Sequence, residues 1–289
     1  MVSLSFHGGI GCIGGNKFLL RDGEHAFFLD FGLPFAQRKL FYEEYLNPRA
    51  GAGLLDPLEM GLLPPIRGIY REDLETEGLW GRFSSHKGYR ELDHLDGVLL
   101  THAHLDHSGY ISFLRGDIPI YASALTAFVA KAMQDCGRSD MEHEVCYLTP
   151  REYSVPRELR VGALKSGDWK KVHAIQRPFR LAEPGPASLS LESVAFWEDT
   201  PGARTLDLAP LGDMASSPLP LRSFPLDHSV LGATAWAVET SVGWVVYTGD
   251  LRFHGSRGEL SRRFIEQAAA LRPRALWPRA PMWTWTDPR

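Results

Sequence analysis

Cysteine is scarce in this sequence. Cys12, Cys136 and Cys146 are the only three among 289 residues. They cannot build a disulfide framework, and they fit a reducing, cytoplasmic setting. Long apolar runs are missing too: none approaches the roughly 20 residues that span a bilayer, so no membrane association is expected. The opening Met1-Val2-Ser3-Leu4-Ser5-Phe6-His7 has no basic segment leading into an apolar one, the pattern of a secretory signal. Positive charge is also short. Lys and Arg number 31 against 35 Asp and Glu, a net charge of -4. That excludes attachment to nucleic acid by bulk charge while leaving room for a local basic groove. What remains is a globular balance, 44% hydrophobic and 23% charged, without internal repeats, in a length that suits one large domain or two modest ones.

Several segments declare their local structure. Strands are predicted at 16–20 and 26–30 around the turn Asp22-Gly23, at 97–101, and at 118–121. Ser123 reads as the N-cap of a helix carrying Leu125, Phe128, Val129 and Ala132 at helical spacing. The runs 236–239 and 244–248 form a hairpin, and 259–271 an amphipathic helix. The stretch from about 34 to 91, rich in Gly and Pro, reads as a loop-rich insertion with one short helix near 41–46. Residues 145–221 read as short strands and turns. Strands, a helix, strands and a helix together predict an α/β fold of sheets covered by helices.

Gly9-Ile10-Gly11-Cys12-Ile13-Gly14 matches the glycine pattern of dinucleotide sites, but that chemistry requires a helix to follow and hold a pyrophosphate. A strand follows here at once, so the glycines read as a tight turn, one that lets backbone approach a substrate closely.

The strongest signal lies just after the 97–101 strand. His102, His104, Asp106 and His107 place four potential metal ligands within six residues, on a loop that can fold them around a centre. Imidazole and carboxylate suit zinc, and carboxylate also suits manganese. His228 precedes one hairpin strand and Asp250 ends the other, so both can converge on the same sheet edge. The set describes a site for two divalent ions, with Asp250 bridging.

His102-x-His104-x-Asp106-His107, His228 and Asp250 resemble the metal motifs of the metallo-beta-lactamase superfamily. The resemblance implies an αββα sandwich, and it implies that Asp30, after Phe27-Phe28-Leu29, supports the ligand loop. The wording at Gly8–Asn16, Leu29–Gly32, Asp227–Ala233 and Tyr247–Gly255 resembles the beta-CASP ribonuclease branch, which includes ribonuclease J and the polyadenylation-factor nucleases. That branch places an acidic residue on the strand after Asp250, and two later histidines complete its site. Here Leu276-Trp277-Pro278-Arg279-Ala280 stands where the acidic residue is expected, and no histidine follows His254, itself a poor substitute. The metallo-beta-lactamase domain is therefore expected over 1–276, incomplete at its C-terminus, with 277–289 an atypical tail. A permitted back-translation of that tail, shifted by two bases, encodes Ala-Glu-Gly-Thr-His-Val-Asp, close to the branch's wording. The expectation is a reading frame shifted near Leu276, a chain that is the front part of a longer nuclease, and an incomplete second metal site.

The chemistry implied is hydrolysis by metal-activated water, with Asp106 orienting the nucleophile. The main expectation is cleavage of RNA, with Arg157, Lys165, Lys170, Lys171, Arg177 and Arg180 lining its path. Hydrolysis of a small ester, thioester or lactone, with 35–90 as a lid, is the alternative. A non-catalytic RNA-binding subunit is a third.

Overall fold

Period-two sorting of side chains builds the molecule outward from two sheets. In strand Phe18–Asp22, Phe18 and Leu20 face one way and Leu19 the other. In His25–Leu29, Phe27 and Leu29 oppose Ala26 and Phe28. Strands buried on both faces in this way belong to the middle of a layered α/β structure. The computed structural model describes residues 1–279 apart from 13, 44, 45, 47, 138–140, 152–171 and 203.

The first sheet has seven strands in the order Val2–Phe6, Phe18–Asp22, His25–Leu29, Gly97–Leu99, Ile120–Ala122, Phe179–Leu181 and Gly212–Asp213. Its first three strands run antiparallel, and from His25–Leu29 onward the pairing is parallel. The second sheet orders Leu221–Pro225, Thr234–Thr240, Gly243–Asp250 and Ala275–Arg279. Phe18, Phe27, Leu29 and Leu99 of the first sheet meet Trp236 and Tyr247 of the second in one buried cluster. On the outer face of the first sheet lies helix Ala124–Cys136, seated through Ala127 and Ala130. Helix Gly258–Ala270 covers the second sheet through Phe264 and Ala268. The order helix, sheet, sheet, helix is the αββα sandwich that the resemblance implied.

Local signals were reliable where a single element carried them. The Ser123 side chain accepts the Thr126 N–H and caps its helix as expected. The hairpin turns at Ser241-Val242 between Thr234–Thr240 and Gly243–Asp250. Three readings need correction. Residues 41–43 are turn and irregular chain; the insertion's helices are Phe35–Arg38, Leu55–Glu59 and Leu79–Phe83. The insertion is also no lid, because Leu54, Leu58, Ile66, Ile69, Tyr70 and Leu74 are buried in the outer core. A helix, Leu191–Glu198, stands where strands and turns were expected, capped by Ser190.

The last described strand, Ala275–Arg279, runs past position 276 and pairs in parallel with Gly243–Asp250. The register sets Arg279 against Asp250, at the place where the acidic residue was expected. The Trp277 ring packs on the first sheet: its centroid lies 4.5 Å from that of Phe6 and 6.1 Å from that of Phe18. The rest of the tail, 280–289, lies outside the described residues.

Candidate metal centre

Ligands from both sheets gather at one end of the sandwich. Strand Gly97–Leu99 delivers the loop 101–104, and the short helix Leu105–Ser108 follows it. Chain entering the hairpin carries His228, and the second hairpin strand ends at Asp250.

The first cluster is His102, His104 and His228. His104 Nδ1 lies 3.1 Å from His102 Nε2 and 3.3 Å from His228 Nε2. Zinc–nitrogen bonds of about 2.0–2.1 Å in a tetrahedron put neighbouring nitrogens about 3.3 Å apart, so the spacing fits that ion. The tautomer fits as well. Thr101 Oγ1 donates to the Asp30 carboxylate and accepts from His102 Nδ1 at 3.0 Å, which leaves His102 Nε2 unprotonated toward the centre. Burial pushes the His228 pKa below the ordinary histidine value, against the pull of Asp250, and favours the neutral ligand form.

The second cluster forms around His107, with His102 and Asp250. His107 Nε2 is 3.5 Å from Asp250 Oδ1 and 3.7 Å from Asp106 Oδ2. The other oxygen of Asp250 lies 4.0 Å from His228 Nε2, so this carboxylate faces both clusters as a bridge would. All six candidate ligands named from the sequence therefore stand together. His254 is exposed.

Asp30 is wholly buried and holds the centre from behind. Its carboxylate accepts from the Thr101 backbone N–H at 2.7 Å, the Thr101 hydroxyl at 2.9 Å, the Tyr247 hydroxyl at 2.8 Å and His107 Nδ1 at 2.6 Å. To aim it there the backbone adopts a left-handed conformation, φ 57°, which Asp tolerates better than most residues. Asn16 adds a further layer by donating to the Tyr247 oxygen at 3.0 Å. Asn16 and Tyr247 end and begin two of the segments quoted for the resemblance, Gly8–Asn16 and Tyr247–Gly255, but neither was given a role from the sequence.

The glycine turn packs closely against the metal loop. The Gly15 N–H donates to the Asp106 carbonyl at 2.9 Å, and a Cβ on Gly14 would strike the Asp106 side chain. Gly32 approaches from the other side, where a Cβ would collide with the Asp106 carbonyl. No helix follows the turn, so the dinucleotide pattern is a coincidence of spacing.

No protein-family model and no curated protein matches this sequence. Among solved structures, a protein of unknown function from Enterococcus faecalis V583 is similar at TM-score 0.53 and 22% identity, over 92% of this chain and 47% of that one. The two share a fold. This chain spans about half the length of that relative. Weaker likenesses are to the MIM-2 metallo-beta-lactamase (TM-score 0.38, 14% identity, 93% of this chain, 70% of that one) and to an N-acyl homoserine lactone hydrolase with product at its catalytic metal centre (TM-score 0.38, 15% identity, 91% and 80%).

Burial disfavours a charged His107, but the Asp30 and Asp250 carboxylates outweigh it and push its pKa up to about 9. A metal ion must displace that proton from Nε2. Affinity at the second cluster should therefore fall as pH drops from 9 to 7, on the order of 10–100-fold, while the first cluster changes much less. Chelator competition at the two pH values checks this. Equal losses at both clusters would contradict it.

Proposed function

We propose that this protein is a metal-dependent hydrolase, and that its substrate is a small molecule with an ester, thioester or lactone carbonyl. The observation that supports hydrolysis is the convergence of His102, His104 and His228 beside Asp106, His107 and Asp250. When bound, divalent ions in such a site lower the pKa of water and polarise the bond to be broken. The protein's own groups do the positioning. Asp106 and Asp250 each present a carboxylate oxygen within 3.7 Å of His107 Nε2, where they can orient an incoming nucleophile and accept its proton. Asp30 fixes the His107 ring, and Thr101 fixes the His102 tautomer.

The small-molecule reading is supported over RNA by Arg177, the one residue of the expected cationic path whose place speaks against such contact. Arg157, Lys165, Lys170 and Lys171 lie outside the described residues. Arg177 cannot meet RNA: it is wholly buried, and its guanidinium donates to the carbonyls of Arg115, Ser112 and Leu114 at 2.7, 3.2 and 2.8 Å. Arg180 is half-buried in a sheet strand. Arg177→Ala should therefore cost stability, about 2–4 kcal/mol from the stranded carbonyls and the space left behind, and leave RNA affinity unchanged. Urea unfolding and a filter-binding titration test the two halves.

RNA phosphodiester cleavage is the second reading. It keeps specific support in the beta-CASP-like wording at Asp227–Ala233 and Tyr247–Gly255, and in a parallel strand beside Asp250 at the place that branch would have one. Zinc- or manganese-loaded protein offered lactones, thioesters and single-stranded RNA decides between them. Chelator-sensitive turnover of carbonyl substrates alone supports the first reading. RNA cleavage alone supports the second, and no turnover of any class overturns the hydrolase.

A further inference from the structure

Lys17 is wholly buried, yet among the described residues it forms no ion pair. Its ammonium donates to the Gly32 carbonyl at 2.6 Å and reaches the Gly15 carbonyl at 3.5 Å. It lies 5.0 Å from the ring centroid of Tyr110 and 5.6 Å from that of Phe31. Burial pushes its pKa down to about 7, so this amine is kept inside at an energetic cost. The two carbonyls it joins belong to the two segments that grip the metal loop. From one, Gly15 and Asn16 donate N–H groups to the Asp106 carbonyl, at 2.9 and 3.3 Å. From the other, Phe31 donates to the His107 carbonyl and Leu33 to the Leu105 carbonyl, both at 2.8 Å. The segments also meet directly through the Gly32 N–H on the Asn16 carbonyl, 2.9 Å.

We propose that Lys17 is a positioning residue for the Asp106–His107 pair: its ammonium locks the Gly15 and Gly32 segments into one clamp that sets where these two ligands stand. The first cluster does not share this dependence. His102 is set by Thr101, and His228 comes from the other sheet. The proposal rests on the reading of the site as a two-ion centre, though not on its substrate.

The test compares wild-type protein with Lys17→Met by zinc titration under chelator competition and by amide hydrogen exchange of the metal-free chains. The weaker, second ion is expected to lose about 10–100-fold in affinity, the range for groups that orient metal ligands, while the tighter ion changes less than about threefold. Exchange at the Gly15, Phe31 and Leu33 amides should quicken at least about tenfold while amides of helix Gly258–Ala270 keep their protection. Unchanged exchange and affinity overturn the proposal. So do equal losses at both ions with loosening throughout, because Lys17 would then serve general stability. If the Met variant does not fold, Lys17→Arg is read for coupling: clamp exchange and second-ion affinity must be retained together or lost together, and either changing alone overturns the proposal. Wild-type protein binding fewer than two ions would refute the two-ion reading instead, and the exchange comparison would still judge the clamp.

Discussion

Asp30→Ala is expected to be the most destabilising single substitution near the centre, costing about 3–5 kcal/mol in urea unfolding of the metal-free protein at neutral pH. The carboxylate is wholly buried and takes hydrogen bonds from Thr101, Tyr247 and His107 at once. Removing it takes the acceptor from the buried His107 imidazole, the Tyr247 hydroxyl and the Thr101 N–H at once, and removes the main charge that favours a protonated His107. Metal affinity should fall as well, by about 10–100-fold, because the His107 ring loses the partner that orients it. Asp30→Asn keeps the shape and one acceptor oxygen, and should fall between wild type and Ala on both measures. A loss under about 1 kcal/mol in the Ala variant would mean the cavity admits water, and that the carboxylate does not hold the centre together.

His102→Ala should have the largest effect on activity. His102 belongs to both donor clusters, so its loss opens each of them. Metal-assisted catalysis is worth several kcal/mol of transition-state stabilisation, so turnover should drop by about 10³-fold or more. The residue is wholly buried, so the ligand loop is not a detached surface feature. The cavity left at this wholly buried position should cost the metal-free variant about 1–3 kcal/mol in urea unfolding, as a core truncation of this size does. A further difference appears on adding zinc. Wild type gains stability in proportion to the logarithm of free ion over its dissociation constant, and the variant should gain almost nothing. A variant that retains full metal content by elemental analysis, or a wild-type-like zinc shift in melting temperature, would remove His102 from the site.

What could be read from sequence was what sits close together in it. The ligand run at His102, His104, Asp106 and His107 is contiguous, and the hairpin and the Ser123 cap are each complete within a dozen residues or so. Asp30 was found only through the resemblance, since one aspartate after a strand is ordinary in isolation. The insertion misled because Gly and Pro obscure periodicity, and its apolar residues pack singly from short turns rather than along one helical face. Arg177 misled in the opposite direction. A basic residue among other basic residues looks solvated, and only the tertiary structure shows three carbonyls waiting for it. Lys17 offered a faint signal that went unread: a lone cation leading into the apolar run Phe18-Leu19-Leu20. The partnership of Tyr247 with Asn16 and Asp30 joins the two sheets, and no local pattern announces it.

The ligands are divided between the two halves of the sandwich. His102, His104, Asp106 and His107 hang from the first sheet, His228 and Asp250 from the second. An ion held by both is a rivet through the seam, and the seam covers Trp236 and Tyr247. Drawing the rivet lets the halves part more often, and each parting offers proteases a stretch of chain that the closed form hides. If the two clusters hold ions as proposed, limited proteolysis of the metal-free protein should be faster than that of the zinc-loaded form, with the first cuts at the seam.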